Sequence, residues 1–196
     1  MNRLEEQLHS AGLQVVDHCE RLATYSPDLL EHSPLLEDFT PAEADVLAAF
    51  MLLVRAAPGQ VLIREGDSGD WMMLILKGTV DVTKRIELRA GDGDAPTVAG
   101  NNAAEPAAVA FTQSRVAVLQ RGAAIGEMSM LDSGLRYTTC TAIEAVEAGV
   151  LGSHAIGLLI RDHPGVGAKL LVKITQLMAQ RLRNISNQLV KSLQKA

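Results

Sequence analysis

The stretch GEMSMLDSGLRYTT, residues 126–139, sets one carboxylate, Glu127, and one guanidinium, Arg136, nine residues apart around a short apolar run. Either the two are surface charges or a buried ion pair, or they converge on a ligand that needs both signs. Arg136 supplies a planar fork of donors suited to phosphate oxygens. Glu127 supplies an acceptor for a sugar hydroxyl. Gly126 lets the backbone approach closely. The run 127–131 can form one helical turn whose free N–H groups, around Ser129, point toward an anion. Acid and arginine together match a cyclic nucleoside phosphate, with one group at each end of the ribose phosphate.

Other chemistries find little support. The five histidines show no ligand spacing, and His18, His154 and His163 read as satisfied or solvated side chains. No Ser-His-Asp or paired-carboxylate arrangement stands out, so neither catalytic residues nor a resident cofactor or metal is expected. Cys19 and Cys140 lack both metal spacing and a disulfide framework, which suits a reducing cytosol. The N-terminus, MNRLEEQLHS, lacks the apolar core of a signal peptide, and no run approaches the roughly 18 apolar residues of a membrane span. The expectation is a cytoplasmic protein without a membrane partner.

Charge is unevenly spread. Residues 1–45 carry ten acids against Arg3 and Arg21, whereas His163 to the end carries six basic residues and no acid. This predicts two oppositely charged helical faces near each other. A net charge of −5 and an aromatic content of 3% argue against DNA or single-stranded nucleic acid as partners of this chain alone.

The elements that must position the pair follow from periodicity. Residues 3–24 show a loose helical period, broken at Ser26-Pro27. Thr40, Pro41 and Glu43 form a capping box with proline in the first turn, opening a helix expected to run to about Arg55. Short glycine-punctuated strands are expected at 60–64, 71–76 and 79–83, then at 115–119, 137–143 and 147–152. Between them, residues 90–110 read as a long exposed loop. A short helix ends at Pro164, and a long one covers about 166–194. Its stripe of Leu171, Ile174, Met178, Leu182, Ile185, Leu189 and Leu193 suits a homodimer seam or packing on its own domain. The order predicts a mainly β protein, a jelly-roll barrel with flanking helices. Its expected parts are an N-terminal helical extension (1–32), the barrel domain (33–164) and the C-terminal helix (165–196). Trp71 reads as barrel packing.

The segments PGQVLIREGDSGDWMMLILKGTVDV and GEMSMLDSGLRYTTCTA, in this order, resemble the cyclic nucleotide-binding domain family, the regulatory module of bacterial catabolite activator protein and of protein kinase A. The resemblance runs from about Ser33 to Leu193. It implies that Glu127 takes the ribose 2′-hydroxyl and Arg136 the cyclic phosphate, with backbone near Gly126, Ser129 and Tyr137 completing the cradle. Met128 and Thr138 belong to the same lining. Asn184, Ser186 and Asn187 on the long helix are placed near the purine. The implied ligand is cAMP, with cGMP second. Tyr137 departs from the small residue usual after the family arginine. With the sequence ending at Ala196, the expectation is a sensor that acts through its own dimer or an unknown protein partner. The alternative is a ligand-free scaffold of the same fold.

Overall fold

The computed structural model describes residues 3–19, 21–22, 29–87 and 111–194. The loop expected at 90–110 lies outside these residues. Helix α1 (Arg3–Ser10) precedes β1 (Gln14–His18), then α2 (Leu29–His32) and α3 (Pro41–Ala48). Strands β2 (Leu52–Ala56), β3 (Val61–Ile63), β4 (Trp71–Lys77), β5 (Thr79–Glu87), β6 (Phe111–Gln120) and β7 (Ala124–Ile125) follow. Then come α4 (Glu127–Asp132), β8 (Thr139–Ala142), β9 (Val146–Gly152), α5 (Ser153–Asp162) and α6 (Pro164–Leu193).

The strands form two antiparallel sheets, in the orders β1-β2-β9-β4-β7 and β3-β8-β5-β6. Strand β4 lies between β9 and β7, with Met73 opposite both Val150 and Ile125. It is buried on both faces, which explains its unbroken apolar run. Trp71, Met73 and Ile75 join the core between the sheets with Val80, Val82, Ala148 and Val150. Met72, Leu74 and Leu76 face the other way, onto a second core shared with Leu47, Ile156, Leu159, Leu170 and Ile174 of the helices. One strand thus ties the barrel interior to the helical layer. The fold is the β jelly roll with N-terminal helices and a long C-terminal helix.

Several element bounds differ from the sequence expectation, β5 and β6 being longer than expected, and two of the differences turn expected helix into strand. The helical period assigned to 3–24 ends at Ser10, and Gln14–His18 instead extends the sheet edge beside β2. Val15 and Val16 are β-branched and stiff at χ1, which favours the strand. Helix α3 stops at Ala48 rather than near Arg55, because Leu52–Ala56 pairs with β9 from Leu52↔Val150 to Ala56↔Val146. Short apolar runs such as LLVRA satisfy either period, and tertiary pairing decides between them.

The capping box is present. Thr40 Oγ1 accepts from Glu43 N (3.3 Å) while Thr40 N donates to Glu43 Oε2 (2.8 Å). Glu43 also receives Lys169 Nζ of α6 on both oxygens, at 2.6 and 2.7 Å. One turn on, the buried Lys173 donates to Glu37 Oε1 (2.8 Å) and pairs with Asp38. The acidic N-terminal part and the basic α6 therefore meet, and these contacts fix the proximal half of α6 on the domain.

Hydrogen bonds from Lys169, then Thr40, hold the Glu43 carboxyl down from 4.5 to about 2. A carboxylate depressed in the folded state stabilises it above the unfolded value and loses that contribution as pH falls through the folded one. Glu43→Gln should therefore melt below wild type near neutral pH. The gap should close between about pH 4.5 and pH 2, which melting curves across that window check.

Candidate functional site

Strand β7 runs directly into α4 through Gly126, whose φ is +79°. A Cβ there would lie 2.7 Å from Arg136 Nη1 and 2.9 Å from Ile63 Cδ1, so glycine is required both by backbone and by space. Helix α4 then turns Glu127, Ser129 and Met130 inward and leaves Met128 and Leu131 exposed. After Ser133 the chain returns along the 66–70 loop. Arg136 N donates to Asp67 O (2.8 Å), Gly66 N donates to Arg136 O (2.9 Å), and Ser68 bridges Leu135. The arginine backbone is thus anchored before its side chain makes any contact.

That side chain folds inward and is only 4% exposed. Nη1 donates to Gly126 O (2.7 Å) and to Ser129 Oγ (2.6 Å). Nη2 is buried without a partner among the described residues. Among those residues no carboxylate hydrogen-bonds to the guanidinium, and burial pushes its pKa below the usual arginine value against the weaker pull of Cys140, Asp70, Glu127 and Asp67. A desolvated cation that no carboxylate hydrogen-bonds is costly unless something anionic meets it.

Glu127 is buried deeper still, at 1%. Its Oε1 accepts from Arg181 Nη1 of α6, and Arg181 Nη2 donates to Ala124 O (2.6 Å). Its Oε2 is buried without a partner among the described residues. Glu127 and Arg136 do not hydrogen-bond to each other among the described residues. Glu127 and Arg136 are not surface charges, and the ion pair that forms at Glu127 is with Arg181.

Arg181 was not expected here. It sits seven residues after Ile174 and four after Leu177, on the helix face that packs inward. A charged residue in register with the buried Ile174 and the partly buried Leu177 is the signal that could have found it. Of the long-helix residues placed near the purine, Asn184 lines a groove of about 240 Å³ with Leu177, Gln180, Arg181 and the 119–124 turn. Ser186 and Asn187 lie on the exposed distal half. Thr138 is half-buried at the cassette's end. Tyr137 is exposed, with Lys84 Nζ 3.7 Å over its ring and donating to its carbonyl (2.8 Å). Its ring therefore lies against Lys84, outside the buried cluster.

Among the described residues no group of His, Cys, Asp and Glu is placed to hold a metal ion, and no helix is long and apolar enough to cross a membrane. The cluster offers instead one buried acceptor, one buried cationic donor, and a helix whose arginine already touches the acceptor.

No protein-family model matches the chain. It is 24% identical over 162 residues, 83% of its length, to a CRP-like cAMP-activated global transcriptional regulator of Mycobacterium tuberculosis, and spans 61% of that protein. Among solved structures it resembles a cyclic nucleotide-binding domain from Methylobacillus flagellatus, with 26% identity and a TM-score of 0.72, covering 98% of this chain and 96% of that one. It also resembles Thermus thermophilus catabolite activator protein, with 25% identity and a TM-score of 0.62, covering 80% of this chain and 62% of that one.

Proposed function

We propose, from the premise that this chain belongs to the cyclic nucleotide-binding domain family, that it is a non-catalytic sensor that binds a cyclic nucleotide, cAMP before cGMP. The observation that carries this is the pair of buried, unpartnered atoms Glu127 Oε2 and Arg136 Nη2. A buried polar group left without a hydrogen bond costs roughly 1–3 kcal/mol, more when charged. A ribose 2′-hydroxyl donating to Glu127 and a cyclic phosphate accepting from Arg136 remove both costs with one ligand. The cAMP-activated description of the mycobacterial relative supports the first choice of nucleotide.

Arg181 gives the binding event a route outward. A ribose at Glu127 must share that carboxylate with the arginine of α6, so occupancy and the placement of the helix are coupled. Nucleotide shifts the helix only as far as its affinity differs between the two arrangements. Beyond Met178 the helix carries Leu182, Ile185, Leu189 and Leu193 exposed, at spacings of three and four. That stripe suits a homodimer, whose rearrangement would be passed to a protein partner.

Titration calorimetry with cAMP and cGMP tests the ligand. The expected result is saturable heat at one nucleotide per chain, stronger for cAMP. No heat and no thermal shift with either nucleotide at millimolar concentration would refute the reading.

A further inference from the structure

Trp71 is the sole tryptophan of the chain and opens β4 opposite Gly152. By position it continues the interior row of Met73 and Ile75. At this end of the strand, however, a guanidinium covers it: Arg136 Cζ stands 4.2 Å from the centre of its ring, and both side chains are buried. Two residues earlier Gly69 also borders the guanidinium. A Cβ at Gly69 would lie 2.7 Å from Arg136 Nε and 2.8 Å from Cζ, so any side chain there would expel the group. Residues 69–71 thus line a slot for the guanidinium with bare backbone and an aromatic face. Gly126 O and Ser129 Oγ hold Nη1 from the edge.

We propose that Trp71 is a positioning residue for Arg136, holding the guanidinium in the slot so that its free edge meets the ligand phosphate without a search through rotamers. The proposal rests on the cyclic-nucleotide reading. An arginine on an indole face is attracted by the ring quadrupole, strongest for Trp, weaker for Phe and absent for Leu. Leucine keeps apolar volume at the strand end but offers no aromatic face. Ordering one long side chain at the moment of binding weakens affinity by roughly 3- to 10-fold.

The test compares wild type, Trp71→Phe and Trp71→Leu by calorimetry with cAMP, and by the NMR shift of the Arg136 Nε–H proton, assigned through its loss in Arg136→Lys. Affinity should fall in the order Trp, Phe, Leu, with Trp71→Leu about tenfold weaker. The Nε–H proton of the wild type should stand upfield from the ring current, and Trp71→Leu should return it to the ordinary arginine range. Affinity within twofold of wild type in Trp71→Leu overturns the proposal. So does weaker binding with the Nε–H shift unmoved, which marks a general loosening of the barrel. Should Trp71→Leu not fold, the intermediate affinity and shift of Trp71→Phe carry the same test. If wild type takes up no nucleotide, the functional reading falls, while the shift without ligand still decides whether Trp71 fixes Arg136.

Discussion

Replacing Arg136 by alanine should weaken the proposed cyclic nucleotide binding by roughly 30- to 1000-fold, about 2–4 kcal/mol. The effect is large because this cation is already desolvated. It is 4% exposed and makes two hydrogen bonds through one nitrogen, leaving Nη2 unspent. An anion arriving there meets a charge that water does not screen and a fork that is already oriented. Without the guanidinium, the phosphate would enter a buried site lined by Gly126 O and Ser129 Oγ, both able to accept and only one able to donate. Arg136→Lys separates charge from shape. It keeps the sign but not the planar fork or the contact over Trp71, and should fall between wild type and alanine. Calorimetry on the three proteins measures the series, and an alanine variant that binds as tightly as wild type contradicts the assignment.

The second large effect concerns the long helix. Leu182→Asp with Leu189→Asp should convert a dimer to monomers, read by sedimentation or light scattering at matched concentration. The proximal half of α6 buries Val166, Leu170 and Ile174 on its own domain. Past Met178 the pattern continues but its cover does not: Leu182 is 66% exposed and Leu189 59%. Full burial of one leucine is worth about 1.5–3 kcal/mol, so a stripe of four on each helix can drive association. An aspartate in that stripe must be desolvated without a partner, which costs several kcal/mol. A wild-type chain that is monomeric at tens of micromolar would rule out the dimer.

What the sequence made legible follows from how local each signal is. The capping box at Thr40 and Glu43, the turn of helix after Gly126 and the strand expected at 71–76 are set by neighbours within a few residues, and all three are present. Strand β2 was missed because LLVRA carries no period of its own and is defined by its ladder with β9, some ninety residues away. Arg181 was missed for a related reason. The long helix was recognised by its apolar stripe, so a charged residue within that face was passed over, and the purine contacts were placed further along, at Asn184, Ser186 and Asn187. Trp71 was read as barrel packing, which its burial supports, but the guanidinium over its ring depends on a return of the chain sixty-five residues later. Glu127 and Arg136 share one segment of ten residues, and both are buried in it.

Hydrogen exchange with and without saturating cAMP would locate the ligand on the chain. Bound nucleotide should slow exchange across residues 126–139, with a further change in α6 around Arg181 as the Glu127 carboxylate is shared. Exchange altered in the cassette alone would remove the helix coupling and leave the binding site standing. Exchange in 126–139 that is identical with and without nucleotide would overturn the assignment of this segment as the nucleotide site.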